Sequence, residues 1–170
     1  MTDLPKLAYT SYEGIELDDL PPVHPVKLFA DYWAGLKGDQ PVPWRRKFSP
    51  LDVPSLLPYL VVLELVDTER GQDLRPRLEG EYLVALAGKG NIGNFLKDVL
   101  EPGQYELCFR EVHQIMETSQ PIFSKIEATD FEGGEHLLLR GMFPFCLADG
   151  EIRQFFIVLA DSVISARKRR

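Results

Sequence analysis

The sequence predicts an α+β fold: a five-stranded antiparallel sheet with helices on one face and a helical extension at its N-terminal end. The clearest signal is in the last third of the chain, where apolar runs follow one another at residues 121–130, 135–147 and 151–163. Gly133 and Gly150 lie between these runs and supply the positive φ angles that tight hairpin turns need. The three runs therefore predict a meander of three antiparallel strands.

Two further strands are predicted before the meander. Residues 59–66 are apolar almost throughout, which is typical of a strand that is covered on both faces. After a polar turn at 67–73, residues 74–80 alternate between apolar and charged side chains. Pro76 has no backbone N–H to donate, so the second of these strands is predicted at a sheet edge or a bulge.

Helices account for most of the remaining chain. Residues 25–37 repeat apolar side chains at intervals of three and four, so they predict an amphipathic helix. A short helix is predicted to begin at Pro50, and two more are predicted at 81–87 and 95–100. The longest predicted helix, 102–119, carries a stripe of apolar side chains that should face the sheet.

The predicted domain organisation is an N-terminal arm at 1–24, one domain at 25–163 and a basic tail at 164–170. A chain of 170 residues is sufficient for one domain with extensions. Residues 1–22 show no clear apolar period, so they predict an extended or loosely docked segment. The net charge is −7, and it is −11 without the last four basic residues, which argues against nucleic-acid binding.

Nothing in the sequence indicates export or membrane insertion. The first residues lack the apolar core of a signal peptide, and no apolar run is long enough to span a bilayer. Cys108 and Cys146 are too few for a disulfide framework and are predicted to be reduced, buried thiols. We therefore expect a cytoplasmic protein.

The order of the predicted elements, strand–strand–helices–strand–strand–strand, resembles that of the PAS domain. Local patterns over about residues 25–163 are also similar to one family of short, stand-alone alphaproteobacterial PAS proteins. The fold that this resemblance implies is a PAS-like sheet extended by the helix at 25–37. The patterns are Tyr32-Trp33, Arg45-Arg46, Leu56-Leu57-Pro58, Arg75-Pro76-Arg77-Leu78-Glu79-Gly80, the glycine-rich stretch Gly88 to Gly93, Asp98-Val99-Leu100, Pro121, and the strand from Leu137 to Pro144.

The function that the resemblance implies is that of a stand-alone bacterial sensory or signalling module, not an enzyme. Such a module binds a small ligand or a protein partner and signals by association, as a dimer or in a hetero-complex. Many PAS domains end in an Asp–hydrophobe–Thr motif, of which this chain keeps only Asp161. Since no output domain follows in the sequence, helix 25–37 and an exposed sheet face are the expected contact surfaces. The alternative is a dimerisation or adaptor module with a filled core and no ligand.

The resemblance also implies a cavity between the helices and the sheet, apolar with a few polar anchors. In the alternative without a ligand, the same side chains fill the core themselves. Because the predicted lining is nearly all apolar, it argues against an enzyme. The candidate lining residues are Tyr82, Leu86, Phe95, Leu96, Cys108, Phe109, Val112, Met116, Phe123, Met142, Phe145 and Phe156.

The sequence carries only weak signals for a cofactor, so the identity of any cofactor stays open. His113 lies on the long helix, where a haem-binding PAS domain places its axial ligand, but the neighbouring Glu111 and Glu117 indicate a surface position. The reactive-cysteine motif of flavin-binding light sensors has no match around Cys108. No histidine or cysteine spacing fits a zinc site. We expect neither haem nor flavin, and no metal.

A basic cluster between two aromatic residues is the last candidate contact. Trp44 and Phe48 flank Arg45, Arg46 and Lys47. Arginine side chains beside aromatic rings could hold an anionic ligand or partner through charge-assisted hydrogen bonds and stacking. Arg45 and Arg46 are the candidate anion contacts. The alternative is a solvated loop whose aromatic residues are anchored in the core.

Overall fold

The computed structural model describes residues 7–166, and its architecture confirms the predicted α+β class. The strands are β1 (Ala8–Ile15), β2 (Leu60–Thr68), β3 (Gly71–Glu79), β4 (Ile122–Thr129), β5 (Glu135–Cys146) and β6 (Ile152–Asp161). Together they form one open antiparallel sheet in the order β1-β4-β5-β6-β2-β3. The α-helices are α1 (Pro25–Lys37), α2 (Glu81–Ala87), α3 (Leu96–Val99) and α4 (Pro102–Thr118), and short 3-10 turns join α1 to β2.

The N-terminal arm contributes a strand that the sequence did not predict. Residues 8–15, expected in an extended or loosely docked segment, form β1 and pair antiparallel with β4. The sheet therefore has six strands in the described part of the chain, where five were predicted. The central residues of β1 are all exposed. Because burial does not alternate along β1, the sequence carries no two-residue apolar period there.

The other strands lie close to their predicted positions, but β2 and β3 extend into the predicted turn at 67–73, so that only Glu69 and Arg70 separate them. Gly133 and Gly150 adopt φ angles of 89° and 83° at the two turns of the meander. β3 is the second edge strand, as Pro76 predicts. The pairing of β2 with β3 shifts register between Val62 and Leu63, close to Pro76. A proline is tolerated at such a position because the ladder does not need its missing N–H.

Helices cover both faces of the sheet. On one face, the α1 residues Phe29 and Trp33 pack against Phe143, with ring centroids 4.9 and 6.3 Å apart. On the other face, α4 packs over Val61 and Leu63 of β2. The prediction that β2 is covered on both faces is therefore confirmed. The expectation of an exposed sheet face is wrong, because the apolar stripe of α1 is buried against that face.

His24 fixes the start of α1 relative to the end of β6. The imidazole is fully buried. Its Nδ1 accepts a hydrogen bond from the backbone N–H of Val26 at 3.1 Å, so it caps the helix. Its Nε2 lies 3.0 Å from the backbone oxygen of Asp161 and donates to it. The cap requires the neutral ring, since protonation removes the Nδ1 acceptor, whereas the Nε2–H bond to Asp161 is available to either form of the ring.

We expect His24 to make folding stability depend on pH. Burial lowers the pKa of His24, even though bonds to the Asp161 and Ala160 carbonyls oppose the shift. The unfolded chain therefore binds this proton more readily than the folded chain. The contribution of neutral His24 is complete above about pH 6.5, the ordinary pKa of histidine, and declines as the pH falls below it.

Urea unfolding of the native chain and of a His24→Asn variant, repeated over a pH series, measures this contribution. Asparagine retains a side-chain acceptor for the helix cap but does not titrate. The free-energy difference between the two proteins should shrink, or reverse, on acidification. A difference that stays constant across the series would mean that His24 is not held neutral.

Candidate functional site

A cavity of about 320 Å³ lies between α2, α3 and α4 on one side and the sheet on the other. Gly88, with a φ angle of 82°, ends α2 and turns the chain toward the loop that borders this cavity. Most of the wall is apolar, so the cavity suits an apolar ligand better than a polar, strongly hydrated one. The apolar wall residues are Leu7, Val61, Leu63, Pro76, Leu83, Ala87, Leu96, Val99, Leu100, Leu107, Ile157 and Leu159.

A buried ion pair forms the polar part of the cavity wall. Nη1 and Nη2 of Arg140 on β5 donate to the two carboxylate oxygens of Glu111 on α4, both at 2.8 Å. Each side chain is only 4% exposed. Ser124 and Tyr12 complete the network: Arg140 Nη1 donates to Ser124 Oγ at 3.4 Å, and the Tyr12 hydroxyl donates to Glu111 at 3.2 Å. A bidentate pair with further hydrogen bonds is the arrangement that two buried charges need.

The pair keeps both charges inside the protein. Burial by itself would lower the pKa of Arg140, but the Glu111 carboxylate outweighs burial, and the pKa of Arg140 lies above its usual range. The arginine is therefore charged at every pH at which the chain folds. The cavity wall consequently presents a fixed charged group to any molecule inside it.

Amide groups of Asn91 and Gln104 also border the cavity. The Asn91 Oδ1 atom is buried and accepts no hydrogen bond within residues 7–166. The Asn91 backbone N–H donates to the Glu79 carboxylate, which anchors the loop between α2 and α3 to β3. Gln104 joins α4 to the N-terminal strand, because its Oε1 accepts from Tyr9 N–H at 3.2 Å and its Nε2 donates to the Leu7 oxygen at 3.3 Å.

Cys108 is the thiol on the cavity wall. Burial raises its pKa to about 12, and the nearby Arg140 offsets this shift only in part. A thiol that stays protonated at neutral pH is a poor nucleophile. Both cysteines are free and buried, as predicted. Residues 7–166 hold no group of three His, Cys, Asp or Glu side chains arranged to bind a metal ion, and none of their helices is long and apolar enough to cross a bilayer.

Two of the predicted lining residues, Leu96 and Cys108, border the cavity. Phe109, Val112 and Met142 belong to the hydrophobic cluster between α4 and the sheet, but they lie away from the cavity wall. Tyr82 and Leu86 pack in a separate cluster over β4, β5 and β6. Phe95 lies beside the guanidinium of Arg75 at 6.0 Å, and Met116 is 37% exposed on α4.

The remaining three predicted residues lie on the opposite face of the sheet. Phe123, Phe145 and Phe156 pack in the cluster beneath α1. Strand alternation explains this placement, because residues separated by an odd number point to opposite faces. On β5, Arg140 and Met142 point toward α4, so Phe145 must point toward α1. The two groups cannot line one cavity.

Sequence reasoning missed Glu111 and Arg140. One signal was available: Arg140 is the lone charged residue within the apolar run of β5. A charge at a buried strand position needs a partner, so it points to an acidic residue on a facing element. The partner itself, 29 residues away on α4, has no local signature.

The histidine and arginine candidates lie away from this cavity. His113 is exposed on α4, with its ring 5.1 Å from that of Phe109. Arg46 lies over the Trp44 ring at 5.3 Å. Arg45 points into a second depression, on the α1 side of the sheet. The basic residues 167–170 of the predicted tail lie outside the described residues.

The family model described as PAS domain matches residues 22–159. No curated protein matches the sequence. Among solved structures, the chain is similar to an RNA-binding light-oxygen-voltage receptor, with a TM-score of 0.46 and 10% sequence identity. The match covers 89% of this chain and 38% of the receptor chain, so the present chain corresponds to well under half of that receptor's length.

Proposed function

The chain belongs to the PAS domain family, and on that basis we propose that it is a sensory module that binds a small ligand in the cavity beneath α2, α3 and α4. The observation that supports this proposal is the cavity itself, about 320 Å³ with apolar walls and a charged pair at one side. Pockets for small molecules begin at about 300 Å³ and combine apolar walls with a few fixed polar groups. PAS domains are generally sensory or interaction modules rather than enzymes, and we propose the same here.

The wall chemistry suggests what the ligand looks like. Its body is apolar, to match the aliphatic side chains of the wall. One end carries a polar group that meets the side of the wall formed by Asn91 and Gln104. Another polar group meets the Glu111–Arg140 pair, which is already neutralised, so a neutral polar group suits it better than a second charge.

The alternative of an adaptor with a filled core receives less support, because a space of this size is larger than the voids of a packed interior.

We propose that the output is association with a protein partner or a second copy. With both sheet faces covered by helices, the outer side of α1 is the proposed contact surface. We retain the proposed domain at residues 25–163, with β1 of the arm completing its sheet, and a cytoplasmic, bacterial setting.

A titration with indole tests the cavity directly. Indole is a neutral, apolar probe with one N–H donor, which is the chemistry that the wall suggests. In two-dimensional NMR spectra, we expect the amide resonances of Leu96, Cys108 and Asn91 to change chemical shift as indole is added, until the site is saturated. An Ala87→Trp variant fills the cavity and should abolish these shifts, whereas Val163→Trp, at an 84% exposed position, should leave them unchanged. Shifts that survive in Ala87→Trp would place the binding elsewhere.

A further inference from the structure

A second depression, about 450 Å³, lies on the α1 side of β2 and β3, and we call it the arginine groove. Its polar lining includes Arg45, Arg77 and Gln154, and its apolar lining includes Phe48 and Leu57. β2 separates the arginine groove from the ligand cavity, since alternate side chains of the strand line the two spaces. The arginine groove is therefore a distinct site.

Arg45 is held in the arginine groove without a carboxylate. Its Nε donates to Gln154 Oε1 at 2.8 Å. The guanidinium lies over the rings of Phe48 and Phe156, 5.3 and 5.2 Å from their centroids. Among residues 7–166, Arg45 forms no ion pair. Its plane is fixed by stacking, while its outer N–H groups remain able to donate to a ligand.

Arg77 brings a second positive charge to the same groove. Its Nη1 lies 3.4 Å from Glu64 Oε2, and the same oxygen accepts from Arg75 Nε at 3.1 Å. One carboxylate is therefore shared by two guanidinium groups. Glu79 also lines the arginine groove, but it accepts the Asn91 backbone N–H on the side of the ligand cavity. Among the described residues, the lining of the groove therefore holds two arginines, Arg45 and Arg77, and one carboxylate, that of Glu79.

Burial and the neighbouring Arg77 both disfavour the charged form of Arg45, and so both lower the pKa of Arg45. An anion between two guanidinium groups removes that repulsion and adds charge-assisted hydrogen bonds. The planar guanidinium fork matches the oxygen spacing of a carboxylate or a phosphate.

We infer that the arginine groove binds a small organic anion, with its carboxylate or phosphate between Arg45 and Arg77 and its apolar part against Phe48 and Leu57. The site differs from the sequence-based prediction in one residue. The proposed site keeps Arg45, but Arg77 of β3 takes the place of Arg46 as the second contact, because β3 and the turn that carries Arg45 meet at this groove. The inference goes beyond the ligand cavity and does not depend on it.

NMR titration of the full chain with phenyl phosphate tests the inference. We expect saturable shifts at Gly80 and at the Gln154 side-chain amide, and weaker binding of inorganic phosphate and of benzyl alcohol, which each lack one half of the proposed ligand. Benzoate in place of phenyl phosphate distinguishes a carboxylate site from a phosphate site. Arg45→Gln and Arg77→Gln should each weaken phenyl phosphate binding by about ten-fold.

Arg46→Gln is the matched control, since it removes the same charge one position from Arg45 but outside the groove. It should leave the affinity within about two-fold of the native value. Equal losses in all three variants would show general electrostatic attraction and overturn the site. The absence of saturable shifts with either phenyl phosphate or benzoate would also overturn it. If Arg45→Gln fails to fold, Arg77→Gln decides the question, because that side chain is 56% exposed and its loss leaves the core intact.

Discussion

Replacing Arg140 with methionine is expected to lower the free energy of unfolding by about 3–5 kcal/mol. The reason is that the Glu111 carboxylate, 4% exposed, would remain in the interior without its counter-charge. Glu111→Leu should cost a similar amount, because it leaves the Arg140 guanidinium unpaired. Losses of this size would be a large fraction of the total stability of a single domain.

The double variant Glu111→Leu/Arg140→Met separates the charge effect from a packing defect. It removes both charges together and should be more stable than either single variant. Arg153→Met serves as a control, since Arg153 pairs with the exposed carboxylates of Glu151 and Asp67 and its loss should cost no more than about 1 kcal/mol. Denaturant unfolding gives each value. Single-variant losses as small as that of Arg153→Met would mean that water reaches the pair.

Phe143→Ala is expected to cost about 3–5 kcal/mol, the usual range for removing a buried aromatic ring. The Phe143 ring is fully buried and contacts the rings of Phe29, Trp33 and Phe123. Its loss would leave a space between α1 and the sheet that these neighbours cannot close by small movements. The variant therefore measures how strongly α1 is bound to the domain.

Thermal unfolding monitored by tryptophan fluorescence reports on this region, because Trp33 lies in the same cluster. Val163→Ala, at an exposed position, should change stability by less than about 0.5 kcal/mol. If Phe143→Ala shifted only the fluorescence transition and left the circular dichroism transition unchanged, α1 would unfold separately. In that case the proposed domain would begin after α1.

The regular elements could be predicted from the sequence because their signals are local. The turn glycines Gly133 and Gly150 and the adjoining apolar runs define the meander, and the apolar spacing of 25–37 defines α1. β1 lacks such a signal. Its central residues are exposed, and it pairs with β4 through backbone hydrogen bonds, which do not depend on the side chains. Its position in the sheet depends on long-range pairing alone.

The site was harder to predict than the fold because it depends on which face each strand residue occupies. An error of one residue in strand register moves a side chain to the other face. This is why Phe145 and Phe156, which are correct as core residues, do not border the ligand cavity. The polar features of both sites join elements that are far apart in the sequence: Glu111 with Arg140, and Arg45 with Arg77. Such pairs become visible only when the sheet is assembled.

Native mass spectrometry of the full chain, purified under mild conditions and compared with Ala87→Trp, tests the central claim most directly. If the cavity binds a small ligand, the native protein should carry a mass excess that disappears on denaturation and is missing from the cavity-filled variant. The size of that excess would begin to identify the ligand. Bare-chain masses for both proteins, or an equal excess on both, would contradict the claim that this cavity is the ligand site.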